Sequence, residues 1–226
     1  MMAISDSLQA TKNRIDAACA AAGRPPGAVR LLVVSKTFPA AAVRQAFEAG
    51  ARAFGENYVQ EGLAKVAELI DLRGQLEWHL IGPLQSNKTR PVAEHFDWVH
   101  SVDRLKVAQR LAEQRPPELP PLNVCLQVNI SGEASKSGLA PADVAALARQ
   151  VAGLPRLRLR GLMAVPEPGP GALAQHQAMA ALFAALQDEG LDLDTLSLGM
   201  SADLEDAIRA GSTMVRVGSA IFGVRT

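Results

Sequence analysis

The sequence is short of three things, and each scarcity removes a class of function. Cysteine occurs twice in 226 residues. Cys19 sits in an alanine-rich helical pattern and Cys125 in an apolar strand-like run, with neither metal-ligand spacing nor a redox pair, so a disulfide framework and a thiolate metal centre are excluded. Both are expected to be buried thiols. Charge of either sign is not in excess: 23 Lys and Arg balance 23 Asp and Glu, and the pI is about 6.9. A whole-chain field that recruits nucleic acid is therefore absent, and on charge alone a small neutral partner is expected. Long apolar runs are also lacking. The N-terminus, MMAISDSLQATKNRID, is polar without an apolar core segment, and no later stretch reaches the length of a membrane span, so a cytoplasmic protein is expected.

What is present is enough apolar residue, 48%, to bury a sizeable core, and one domain over residues 1–226 is expected. The chain is organised around RLLVVSK at 30–36. Leu31, Leu32, Val33 and Val34 do not alternate with polar residues, which suits a parallel strand covered on both faces. Lys36 then falls where a buried strand ends. An amine there borders a low-dielectric interior, which favours its neutral, nucleophilic form and suits Schiff-base chemistry.

Around this strand the chain alternates. An opening helix is predicted over 3–22, stopped by Gly23 and Pro25-Pro26. Strands are then predicted at 30–36, 53–55, 77–81, 98–102, 123–130, 157–165, 195–199 and 214–217, each followed by a helical stripe, with Ser86 and Asp103 as candidate caps. The prolines at 116–117 and 120–121 are too few to mark a boundary, because the same alternation resumes after them. Eight such units predict a closed (β/α)8 TIM barrel with an extra N-terminal helix, shorter than the ~250 residues usual for that fold. A doubly wound open sheet is the alternative.

In such a barrel, sites gather at the C-terminal strand ends. Those positions hold Lys36, Asn57, Ser201, Arg216, Gly218 and Ser219. Gly199-Met200-Ser201 offers a hydroxyl and an N–H before a helix, and Gly218-Ser219 permits close backbone approach beside a second hydroxyl, so the loops after strands seven and eight suit a phosphate. Ordinary capping by Ser201 and an ordinary turn at Gly218 are the plainer readings of each taken singly. Arg216, inside MVRVG, must find an acceptor or reach solvent; it serves either as half of a structural salt bridge or as a ligand contact beside the phosphate site, a neighbour of Lys36 once the barrel closes. His79 is read as a core histidine or a residue facing the mouth. Lys136 is read as a solvated loop lysine, the Arg156-Arg158-Arg160 alternation as an exposed strand face, and His95, His100 and His176 receive no role.

Several stretches are recognisable together: VSKT around Lys36, FGENYVQE from Phe54, WHLIGPLQSNK from Trp78, NVCLQVNISGEASKSG from Asn123, GLMAVP from Gly161, and LGMSADLEDAIRAGSTMVRVGSAIFG from Leu198. The chain resembles the pyridoxal phosphate homeostasis proteins, single-domain relatives of the N-terminal barrel of alanine racemase. The resemblance implies that Lys36 holds pyridoxal 5′-phosphate (PLP) as an internal aldimine with Asn57 near the ring. It also implies that Ser201, Gly218 and Ser219 bind the phosphate and that Arg216 faces the pyridine nitrogen. Leu80 departs from the family pattern, where an aromatic residue or methionine is common, and touches none of these positions. The implied role is vitamin B6 homeostasis: a monomer that holds and releases PLP, meets PLP-dependent apo-enzymes only transiently, and performs no established reaction. Lys136, on the ligand side of the barrel, is a candidate transient acceptor during release.

Two other classes compete with this carrier. A small PLP-dependent racemase or decarboxylase would need a second base, which larger relatives take from an additional domain; the chain stops at Thr226, so that base is expected to be missing. A Schiff-base aldolase without cofactor would need an acid or base beside Lys36, for which only Glu56 and Tyr58 are near in sequence.

Overall fold

The computed structural model describes residues 3–133, 135–167 and 169–223. The expected domain limits at Met1 and Thr226 lie outside them, as do Ala134 and Pro168. Eight parallel strands, β1 (Arg30–Val34), β2 (Ala53–Glu56), β3 (Glu77–Leu80), β4 (Trp98–Val102), β5 (Leu122–Gln127), β6 (Leu157–Met163), β7 (Thr195–Ser197) and β8 (Met214–Val217), pair in chain order. β8 then pairs with β1, setting Leu32 opposite Arg216 and Val33 opposite Val217. This closure makes the molecule a (β/α)8 barrel and excludes the open sheet.

Each strand but the last leads to a longer helix or one shortened by an adjoining turn. The helices are α2 (Ala40–Glu48), α3 (Val59–Glu68), α4 (Thr89–His95), α5 (Leu105–Gln114), α6 (Val144–Ala152), α7 (Ala172–Asp188) and α8 (Leu204–Ala210), and a single turn, α9 (Ser219–Phe222), follows β8. The unbroken apolar run of β1 is used on both faces. Leu32 packs with Ala53 and Met214 inside the barrel, while Val33 joins the larger core between strands and helices. That outer core holds the fully buried Phe54, Trp78 and Phe96, whose transfer from water contributes to the drive for closure.

The additional helix, α1 (Ile4–Ala21), buries Leu8, Ile15, Ala18 and Cys19 on one stripe. Its polar side is also employed. Arg14 forms a bidentate ion pair with Glu205 and donates from Nη1 to the Ser201 carbonyl at 2.9 Å, while Arg24 donates to the Ile208 and Ser212 carbonyls. α1 is thus fastened to α8 and to the loop before it.

Three local expectations are corrected. Neither Ser86 nor Asp103 caps a helix: α4 and α5 start without a side-chain cap, and the Asp103 carboxylate instead accepts from Arg104 at 2.6 Å. β5 stops at Gln127 because the backbone beyond it leaves the sheet, keeping one isolated bridge from Val128 to Leu139. Arg158 is exposed as expected, but Arg160 turns inward, where its guanidinium lies 4.5 Å from the Trp98 ring centre and is paired with Asp194. Both cysteines are free and buried, and burial pushes the Cys125 thiol up to about 12.

Candidate functional site

β1 ends at Val34, and the chain turns through Ser35, Lys36 and Thr37 before α2. This turn is strained and held from beneath. Thr37 adopts φ 71°, a left-handed conformation that a β-branched residue rarely takes. Its N–H donates to Glu61, and Lys65 donates to the Ser35 carbonyl at 2.7 Å, to Glu56 at 2.7 Å and to Glu61 at 2.8 Å. The Ser35 hydroxyl donates to Glu56 at 2.5 Å. Burial raises the Glu56 carboxyl above the usual carboxylate range, and the hydrogen bonds from Lys65 and Ser35 only partly oppose it. A buried cluster on β2 and α3 therefore fixes the loop that carries Lys36. The Lys36 side chain itself is exposed at the barrel mouth. The low-dielectric surroundings expected from its position are not found, because the strand stops two residues earlier and the turn carries it outward.

Asn57 follows β2 directly and is positioned through its backbone. A β-carbon at Gly82 would lie 2.1 Å from the Asn57 carbonyl oxygen, so only glycine lets the loop after β3 rest there. After β7, Gly199 takes φ 90° and packs against Ala207, where a β-carbon would come within 2.5 Å. The next turn is built on Asp203, whose carboxylate accepts from the Met200 N–H at 2.7 Å and bonds His176 Nε2 at 2.9 Å. Burial pushes the Asp203 carboxyl up, yet those hydrogen bonds prevail and hold it below its ordinary value. Asp203 stands at the start of α8 but makes no side-chain cap bond to that helix; its carboxylate closes the preceding turn at Met200 instead.

Arg216 points from β8 into the barrel, buried, with Nη1 donating to the Ser197 carbonyl and hydroxyl and Nη2 to the Ala164 carbonyl. Burial lowers it to about 10, still a cation at neutral pH. Gly218 ends the strand against Val34, and a β-carbon there would meet the Val34 carbonyl oxygen at 2.7 Å. Ser219 opens α9, whose Ile221 and Phe222 N–H groups donate to the Gly218 carbonyl, so that only those of Ser219 and Ala220 lie ahead of the helical bonds.

All six residues named from the sequence, Lys36, Asn57, Ser201, Arg216, Gly218 and Ser219, line one cavity of about 460 Å³ at the barrel mouth. Sequence reasoning missed its apolar wall, which includes Val34, Ile81, Met163, Val165 and Met200. The lining carries two cations and no acid, so the neutral partner inferred from overall charge gives way to an anion: a balanced total says nothing about a local field. His79 is not at the mouth. It is wholly buried and bonded to Glu77 and His100. Lys136 lines a separate, smaller cavity of about 150 Å³ that also touches Val165, and it sits 3.4 Å from Glu133 and 3.8 Å from Glu167. No helix among the described residues is long and apolar enough to cross a membrane.

The closed parallel barrel places the chain in the class of the alanine racemase N-terminal domain. The family model of that description matches residues 7–226. Within it, the chain belongs to the pyridoxal phosphate homeostasis protein family. It is 64% identical over 225 residues to the pyridoxal phosphate homeostasis protein of Pseudomonas aeruginosa PAO1, covering 100% of this chain and 97% of that one. Identity to the Escherichia coli K12 protein of the same name is 56% over 226 residues, covering 98% and 97%. Among solved structures, PipY of Synechococcus elongatus PCC7942 with PLP bound superposes with a TM-score of 0.84 at 40% identity, covering 97% of this chain and 100% of that one.

Proposed function

We propose that the protein binds PLP in the mouth cavity and serves vitamin B6 homeostasis by holding the cofactor and handing it on. The observation that carries this reading is the convergence of the six residues on one cavity. Its volume falls within the range usual for small-ligand sites. The residues also fit the group chemically. Ser201, Ser219 and the backbone beside Gly218 offer hydroxyl and N–H donors to a phosphate, and the absence of acids from the lining favours a dianion. Val34, Ile81 and Met163 supply an apolar surface for a flat ring, with Asn57 at its edge. When bound, the cofactor supplies an aldehyde, which the Lys36 amine captures as a Schiff base with loss of water.

Arg216 is assigned to the pyridine nitrogen. A guanidinium is a donor with no acceptor capacity, so it keeps that nitrogen unprotonated and weakens the ring as an electron sink. Storage and release are favoured over racemisation or decarboxylation on that ground. An aldolase role for Glu56 is disfavoured because its carboxylate is wholly buried and already engaged by Ser35 and Lys65. Incubating purified protein with PLP and recording the absorption spectrum tests the reading. A yellow band that persists through gel filtration and is absent in Lys36→Ala is expected; a colourless protein would overturn it.

A further inference from the structure

A buried path of side chains runs beneath Arg216 through the whole height of the barrel. Arg216 Nη1 donates to the Ser197 Oγ at 2.8 Å. Ser197 Oγ lies 3.1 Å from His100 Nδ1, His100 Nε2 lies 2.8 Å from His79 Nδ1, and His79 Nε2 lies 2.8 Å from Glu77 Oε1. Glu77 opens β3 and also accepts from Arg30 at 2.7 Å, and Arg30 opens β1. The path therefore begins at the N-terminal end of the barrel, where the Glu77 side chain is 35% exposed, and ends at the mouth cavity. Ser197, His79 and His100 are wholly buried.

Each hydrogen bond fixes the direction of the next. Burial would raise the Glu77 carboxyl, but the hydrogen bond from His79 and the Arg30 cation bring it below its ordinary value, so it is a carboxylate and only accepts. His79 Nε2 must then carry the proton. Burial keeps both imidazoles neutral, and a neutral ring has one N–H, so His79 Nδ1 accepts from His100 Nε2–H. His100 Nδ1 in turn accepts from the Ser197 hydroxyl, whose oxygen accepts from Arg216. Trp98 stacks on His79 with ring centres 5.1 Å apart and planes 9° from parallel, which locks the imidazole orientation.

Barrel interiors of this type are filled mainly by branched apolar side chains, and two buried imidazoles are tolerated only when every ring nitrogen is matched. Here all are. We propose that Glu77, His79, His100 and Ser197 are positioning residues: a hydrogen-bond relay of one polarity, anchored on a carboxylate at the closed end of the barrel, that aims the Arg216 guanidinium into the mouth cavity. The inference rests on the proposed placement of the pyridine nitrogen beside Arg216. It adds that ring recognition is set by residues that touch no ligand.

Long-range nitrogen-15 NMR of the full chain, which has four histidines, reads the relay directly without any variant. Both His79 and His100 are expected as neutral Nε2–H tautomers at pH 7.5; a His100 Nδ1–H tautomer or a doubly protonated His79 would overturn the stated polarity. Ser197→Ala then tests the consequence. It is expected to weaken PLP and unphosphorylated pyridoxal by the same factor, about tenfold for one hydrogen bond to a charged group, and to move the absorption maximum of the loaded protein in the direction that Arg216→Met moves it. If Arg216→Met changes affinity and spectrum while Ser197→Ala changes neither, the relay is refuted and the ligand placement stands. If Arg216→Met changes neither, the placement itself fails, and the inference with it.

Discussion

Gly218 rests on the backbone of Val34, so closely that a β-carbon at Gly218 would stand 2.7 Å from the Val34 carbonyl oxygen. The contact joins the last strand to the first at the level of the cavity. Gly218→Val must therefore displace the end of β1, from which the Lys36 turn departs, and is expected to weaken PLP and pyridoxal alike. The phosphate contribution is isolated elsewhere. Ser201→Ala and Ser219→Ala each remove one charge-assisted hydrogen bond, worth on the order of 1.5 to 3 kcal/mol, so each is expected to weaken PLP tenfold or more while sparing pyridoxal. Titration of both aldehydes by absorbance reads the split, and equal losses for the two in the serine variants would move the phosphate site.

The clamp beneath Lys36 predicts a stability effect. Lys65→Ala leaves Glu56 buried without its cation and releases the Ser35 carbonyl, and loss of one member of a buried pair costs about 3 kcal/mol or more. Urea unfolding should show that loss together with slower capture of PLP by the freed, strained turn. A variant as stable and as fast as the parent would mean the clamp does not hold the loop.

The relay also predicts a pH dependence. The folded chain keeps His79 and His100 neutral, whereas in the unfolded chain both titrate near pH 6.5. Below that value the unfolded state binds protons the folded state does not, so stability falls with falling pH, by up to about 1.4 kcal/mol per pH unit for each histidine. Glu77, held below its ordinary value when folded, adds a further loss as pH falls through its unfolded value toward its folded one. Urea midpoints measured between pH 7.5 and 5 should decline accordingly. A flat profile across that interval would contradict buried neutral imidazoles.

Lys136 borders a cavity that touches Val165, which also borders the mouth, and lies near Glu133 and Glu167. If it accepts PLP transiently on the way out, Lys136→Ala should slow transfer to an apo-enzyme without changing equilibrium binding. Identical transfer rates would remove any role for it.

Much of this was legible in the sequence, for identifiable reasons. Barrel closure follows from strand count and from runs such as Leu31 to Val34, and the six cavity residues follow from the rule that strand ends carry sites. The apolar wall was not legible, since Ile81, Met163 and Val165 read simply as strand residues until the barrel curves them inward. The clamp was hidden because Lys65 and Glu61 sit on a helix whose pattern reads as an ordinary charged face. The relay had a faint signal: Glu77 and His79, two residues apart on one strand, share a face, as do Trp98 and His100. That the two pairs meet side by side on the adjoining strands β3 and β4 depends on register, which periodicity does not supply.

The central claim is that Lys36 holds PLP covalently, and reduction by borohydride followed by peptide mapping tests it most directly. Loaded protein should carry one reduced pyridoxyl group, on the peptide containing Lys36, and Lys36→Ala should carry none while remaining folded, since the side chain is exposed and contributes little to the core. A stable adduct found only on another lysine, Lys65 or Lys136 included, would contradict the account.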